Sequence, residues 1–189
     1  MIATIVSAAL AGFVVKCAPH VGPVTMSAIV AYESGGRPYA IGDNSTRRSY
    51  FPGDRASATR LAARLVGAGH DIDVGYAQLN IANVRAYGLD LARAFDPCTN
   101  IATGARILRA DYAGAARRFG PGQHALASAL SAYNTGGYFA GLGYARGVYA
   151  MASTLRFDAR LTLFIARHTP IARRAMRFVP ASIAARGAR

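Results

Sequence analysis

Tyr32-Glu33-Ser34-Gly35-Gly36 closes an apolar stretch with one acid and two glycines. Just upstream, Gly22-Pro23 opens a segment in which Met26, Ile29 and Val30 recur at helical spacing, and proline suits a first helical turn. The paired glycines stop that helix, so Glu33 falls in its last turn. There the helix dipole places partial negative charge beside the carboxyl, and an apolar surround also disfavours ionisation. A carboxylic acid held protonated near neutral pH is what protonation of a glycosidic oxygen requires. Taken alone, the segment equally suits a solvated glutamate ending a helix.

Composition sets the frame around that acid. The chain has 189 residues, and 52% of them are hydrophobic, too many for a disordered chain. The longest uncharged apolar run, Met1 to Val15, stops at Lys16, short of the ~20 residues that cross a bilayer, which excludes a polytopic membrane protein. The 22 basic and nine acidic residues give a net charge of +13, suited to a polyanionic partner such as nucleic acid, an anionic membrane or an acidic polymer. The bases are Lys16 and 21 arginines; the acids are eight aspartates and Glu33. In a chain rich in helix-forming Ala and Leu, a single glutamate draws attention to itself.

Outward from residues 32–36 the chain reads as mostly helix. A first helix is predicted over 3–16, and residues 37–56 form an irregular lobe with at most short strands. Ser57 is expected to cap a helix over 58–66, closed by Gly67 and Gly69. Residues 70–80 read as turn or strand, and 81–87 as a short helix. Asp96-Pro97 caps a long helix to about Phe119, Gly120-Pro121-Gly122 ends it, and helices over 123–134 and 144–155 follow. From Arg156 on, eight arginines face one acid, Asp158, and Pro170 and Pro180 interrupt. The expected organisation is one α+β, predominantly α domain over 1–155 and an Arg-rich basic tail over 156–189. That tail suits a solvated extension, contact with an anionic membrane, or a protein partner.

Cys17 and Cys98 fit one disulfide or two separate buried thiols, and neither has neighbours at metal-ligand spacing. Residues 1–11 are apolar, and Ala9-Leu10-Ala11 mimics a cleavage site, but no basic stretch precedes it. The segment reads at least as well as a first core helix.

Two further segments suit a binding site, although taken alone the first equally suits an ordinary hairpin or loop and the second a helix C-cap with a core tyrosine. Asp73-Val74-Gly75-Tyr76-Ala77-Gln78-Leu79-Asn80 combines a glycine that lets backbone approach a ligand with amides that donate and accept hydrogen bonds. Ala132-Tyr133-Asn134-Thr135-Gly136-Gly137 ends a helix whose buried face includes Tyr133, with its hydroxyl available to a buried acid. In this order, Glu-Ser-Gly-Gly, Gly-x-x-Gln and Ala-Tyr-Asn-x-Gly resemble the soluble lytic transglycosylase family with its lysozyme-like domain. The branch that accompanies type IV secretion and conjugation machines is the most similar. It shares the flanks Cys17-Ala18-Pro19, Ile41-Gly42-Asp43-Asn44, Gly69-His70-Asp71-Ile72-Asp73-Val74-Gly75 and Pro97-Cys98-Thr99-Asn100-Ile101. The likeness spans about residues 5–150, with Tyr76 and Ala77 departing from its usual pattern.

That resemblance implies a periplasmic enzyme cutting peptidoglycan glycan strands between N-acetylmuramic acid and N-acetylglucosamine, without metal or cofactor. It implies Glu33 as the catalytic acid, Ser34 and Tyr133 as the residues that position it, and Gly75, Tyr76, Gln78, Asn80 and Asn134 as substrate contacts. It also implies a Cys17–Cys98 disulfide tying the first helix to the long central one, and components of a secretion or conjugation channel as partners. Two alternatives stay open: a hydrolytic muramidase in which Asp43, Asp71 or Asp73 assists Glu33, and a non-catalytic basic component of a transfer apparatus. No specific nucleic-acid binding is expected, since no helix carries a ladder of basic residues.

Overall fold

Two apolar helices build the floor of the molecule. The computed structural model describes residues 4–5 and 7–156. After β1 (Thr4–Ile5), Ser7 accepts the Leu10 amide and starts α1 (Ala8–Cys17), which buries Leu10, Ala11, Val14 and Val15. The helix expected from residue 3 thus begins later, because a serine able to cap it sits at position 7 and the chain before it pairs as a strand. The helix α2 (Pro23–Ser34) buries Met26, Ala28, Ile29 and Val30 completely. Its end is set by Gly35, whose φ of +61° favours glycine and whose amide donates to the carbonyls of Val30 and Ala31.

The lobe that follows is a small antiparallel sheet. Its strands are β2 (Ile41–Asp43), β3 (Arg48–Tyr50), β4 (Ile72–Val74) and β5 (Leu79–Asn80), in the order β3-β2-β4-β5. Ile41 pairs with both Tyr50 and Val74, and Asp73 pairs with Asn80. Between β3 and β4 runs α3 (Arg55–Gly67). Its cap is Asp54, which accepts from the amide and the hydroxyl of Ser57, so Ser57 lies inside the first turn that it was expected to cap.

The rest is helical. Asn80 caps α4 (Ile81–Ala86), and Asp90 caps α5 (Leu91–Ala94), a turn too short to show periodicity. Asp96 caps α6 (Pro97–Phe119) by accepting the Thr99 amide, as its Asp-Pro start predicts. The helices α7 (Gln123–Thr135) and α8 (Leu142–Thr154) follow, and β6 (Leu155–Arg156) pairs in parallel with β1. α6 lies along α7 and α1, while α2 packs against α8. The architecture is the expected α+β, predominantly α one.

Cys17 and Cys98 form a disulfide with Cα atoms 5.3 Å apart, joining the end of α1 to the start of α6. Among the described residues no helix is long and apolar enough to cross a membrane. The expected Arg-rich tail lies, Arg156 apart, outside the described residues.

Candidate active site

The last turn of α2, the β4–β5 turn, the middle of α6 and the end of α7 enclose a groove of about 590 Å³. Glu33, Gln78, Asn80, Tyr133 and Asn134 all line it, together with Asn44, Asp71, Asp73 and Asp111. Residues from four distant parts of the chain thus meet on one surface.

Glu33 sits largely buried on this surface. Burial pushes its pKa from the ordinary 4.5 up to about 7, against the Tyr144 hydrogen bond that lowers it, and the nearby charge of Asp73 adds to the rise. The hydroxyl of Tyr144 donates to Glu33 Oε1 over 2.6 Å. Burial, followed by the Glu33 charge, holds the Tyr144 hydroxyl far above the usual tyrosine range, so it stays a donor. Tyr144 is itself fixed by an edge-on contact with Tyr32 and by stacking on Tyr133, at centroid distances of 5.2 and 6.4 Å.

The two residues expected to position Glu33 have other partners. The Ser34 hydroxyl is buried and donates to the Val30 carbonyl at 2.9 Å, inside its own helix. The Tyr133 hydroxyl donates to the Ala77 carbonyl at 2.8 Å, tying α7 to the β4–β5 turn. Direct contact with the acid therefore comes from Tyr144, which sequence reading missed. Its helix shows only an ordinary buried face of Tyr144, Ala145 and Val148.

The β4–β5 turn is held from beneath by Asn100, a fully buried amide on α6. It donates to the carbonyls of Val74 (2.9 Å) and Ala94 (2.8 Å) and accepts the Ala77 amide at 2.7 Å. Gly75 is required there: its φ is +79°, and any side chain would collide with the Asn100 amide. Gly75 is thus a packing position, and Tyr76 is 7% exposed and packs towards Phe13, with centroids 6.5 Å apart. Neither lines the groove, contrary to the expectation that both contact substrate. Gln78 does line it, at a strained φ of +45°, but its amide is spent on the carbonyls of Gly75 (2.8 Å) and Ala40 (3.2 Å).

The aspartates divide in two ways. Asp43 is buried away from the groove, accepting from Thr46 and facing His70 Nδ1 at 2.9 Å. Asp71 and Asp73 line the groove side by side, bridged by two amides. Asn44 donates to both at 3.2 and 2.9 Å, and Asn80 to both at 2.7 and 3.0 Å. Burial raises the pKa of Asp73, opposed by these amides and assisted by Asp71. Among the described residues no group of three His, Cys, Asp or Glu side chains is placed to hold a metal ion.

Charge is unevenly spread. Four of the nine acids line the groove, and among the described residues no lysine or arginine does, in a chain of net charge +13. Among the described residues the basic side chains therefore lie outside the groove.

A helical domain that carries one buried glutamate at a helix end, over a groove beside a small antiparallel sheet, is a lysozyme-like α+β domain. Comparison with known families places it further. Residues 13–141 match the transglycosylase SLT domain, and the chain belongs to that family. It is similar to the VirB1 protein of Agrobacterium fabrum, at 37% identity over 76% of this chain and 59% of the relative. It is also similar to the type IV secretion system protein VirB1 of Brucella abortus, at 41% identity over 67% of this chain and 53% of the relative. The chain thus spans little more than half the length of these relatives. No solved structure matches it.

Proposed function

We propose that this chain is a peptidoglycan lytic transglycosylase that breaks the bond between N-acetylmuramic acid and N-acetylglucosamine without water. The observation that carries the reading is Glu33: a largely buried groove carboxyl, bonded to Tyr144, whose pKa near 7 lets it act first as acid and then as base. As acid, Glu33 gives its proton to the bridging oxygen, and the bond to the muramyl anomeric carbon breaks. The substrate's own acetamido group steadies the cationic carbon. The new carboxylate is held by the Tyr144 hydroxyl, a donor that strengthens as charge develops on Oε1. As base, Glu33 then takes the proton of the muramyl primary hydroxyl while that oxygen closes onto the anomeric carbon. The product is an anhydro ring, and Glu33 is protonated again.

Two groove aspartates bear on the hydrolytic alternative. A muramidase uses a second carboxylate free to act on water or on the sugar. Asp71 and Asp73 accept from Asn44 and Asn80 at all four carboxyl oxygens, which favours a supporting role. In that role Asp73 raises the pKa of Glu33 by its charge.

The name of the Brucella relative, a type IV secretion system protein, supports a place beside a type IV secretion apparatus. The reaction would locally open the wall in the periplasm, with peptidoglycan strands as substrate and channel components as partners. Mass spectrometry of soluble muropeptides tests the chemistry. The wild-type protein should release anhydro-muramyl products, one water lighter than hydrolytic ones, and Glu33→Gln should release none. Reducing-end products would establish the hydrolytic alternative instead.

A further inference from the structure

Of the four groove acids, Asp111 is the one whose chemistry is unaccounted for. Glu33 is bonded to Tyr144, and Asp71 and Asp73 are bridged by amides. Asp111 lines the same groove from the middle of α6, its Oδ2 is buried, and among the described residues no group donates to it. The residues one turn away on α6 are Ile107, Leu108, Gly114 and Ala115, so none of the arginines of that helix is placed to pair with it. A buried carboxylate oxygen without a donor costs stability, and proteins keep few of them. Burial also pushes the pKa of Asp111 up to about 6, which leaves it mostly ionised at neutral pH. Oδ2 is closed off within the protein, whereas Oδ1, also without a donor, is not buried, so on the wall of the groove Oδ1 is the oxygen that a ligand donor can reach.

We propose that Asp111 is a glycan-binding residue whose carboxylate accepts a hydrogen bond from a sugar hydroxyl or acetamido N–H on the α6 wall of the groove. The proposal rests on the reading of this groove as the glycan cleft. The absence of lysine and arginine from the described lining agrees with it. Such a groove favours the neutral hydroxyl and amide donors of amino sugars, and turns lactyl and peptide carboxylates outward, towards the basic surface. Asp111 is thereby a specificity residue, distinct from Glu33 at the reacting oxygen.

The test measures binding apart from turnover, on the Glu33→Gln protein, with a soluble tetrasaccharide of alternating N-acetylglucosamine and N-acetylmuramic acid. Adding Asp111→Ala should weaken calorimetric affinity roughly tenfold, the scale of one hydrogen bond to a charged group. Thermal stability should not fall, because an oxygen without a donor has been removed; a merely structural role would show the reverse. Asp111→Asn keeps the shape and a weaker acceptor, and should lose about threefold, which keeps the test open if the alanine protein folds poorly. Unchanged affinity in both variants would overturn the role of Asp111 and leave the lytic transglycosylase reading standing. Failure of the Glu33→Gln parent to bind the tetrasaccharide would overturn both.

Discussion

Tyr144 on α8 donates to Glu33 Oε1 on α2 over 2.6 Å, a bond between residues 111 positions apart in the chain. It opposes the burial that raises the Glu33 pKa, so it stabilises the charged form. Tyr144→Phe removes the donor and keeps the ring against Tyr32 and Tyr133. Without that donor the Glu33 pKa should rise further. The alkaline limb of the pH–rate profile should then move up by about one pH unit, on the scale of a hydrogen bond to a charged group. The maximal rate should fall roughly tenfold to a hundredfold, because the carboxylate formed on proton transfer loses its partner. A fall in rate with an unmoved alkaline limb would assign Tyr144 a packing role only.

Glu33 also sets a stability trend. Its folded-state pKa of about 7 lies above the ordinary 4.5, so the native state binds the proton more tightly than the unfolded chain. Below pH 4.5 both states are protonated and the group costs nothing. Between 4.5 and 7 the cost grows, and above 7 it is complete. The rise from 4.5 to about 7 corresponds to at most about 3 kcal/mol. Glu33→Gln should therefore be more stable than wild type at pH 8, with the gain vanishing near pH 4. Denaturant titrations at both pH values measure this. A gain independent of pH would mean that ionisation of Glu33 is not its source.

Much of this organisation is legible in the residues. Pro23 and Gly35 bound α2, and Asp96-Pro97 starts α6, because caps and breakers act locally. The groove contains Glu33, Gln78, Asn80, Tyr133 and Asn134, all within the three quoted segments. What stayed hidden depends on contacts between distant segments. Tyr144 reads as a core residue until α8 is laid against α2. Asp111 lies among arginines on a long helix, and no motif in the sequence sets it apart until α7 closes the groove. Tyr76, which the family resemblance implies as a ligand contact, is directed inward to Phe13 by the turn built on Asn100.

That turn should be fragile at one point. Asn100→Ala would leave the Ala77 amide and the carbonyls of Val74 and Ala94 without their buried partner. Each buried unpaired group costs about 1–3 kcal/mol, so a loss of roughly 3 kcal/mol or more is expected by urea denaturation. Activity should also collapse at temperatures where the protein remains folded. The Ala77 carbonyl anchors Tyr133 and the Gly75 carbonyl anchors Gln78, so both walls of the groove shift together. Retained activity in a folded Asn100→Ala protein would separate the turn from the site.

The Cys17–Cys98 bond closes a loop spanning 81 positions. On the chain-entropy account, a loop of that length restricts the unfolded chain by about 4 kcal/mol. Small domains have only about 5–15 kcal/mol in total, so the reduced protein should be close to marginal. The bond joins α1 to the start of α6, and neither cysteine lines the groove that holds Glu33. Its loss should therefore act on the folded fraction and not on the chemistry. A Cys17→Ser/Cys98→Ser protein should melt roughly 10 °C lower, while its rate per folded molecule stays at the wild-type level. Thiol titration of the unreduced, denatured wild-type protein should find no free thiols. Two free thiols would remove the bond from the account, and an unchanged melting temperature in the double variant would show that the long loop is already restrained in the unfolded chain.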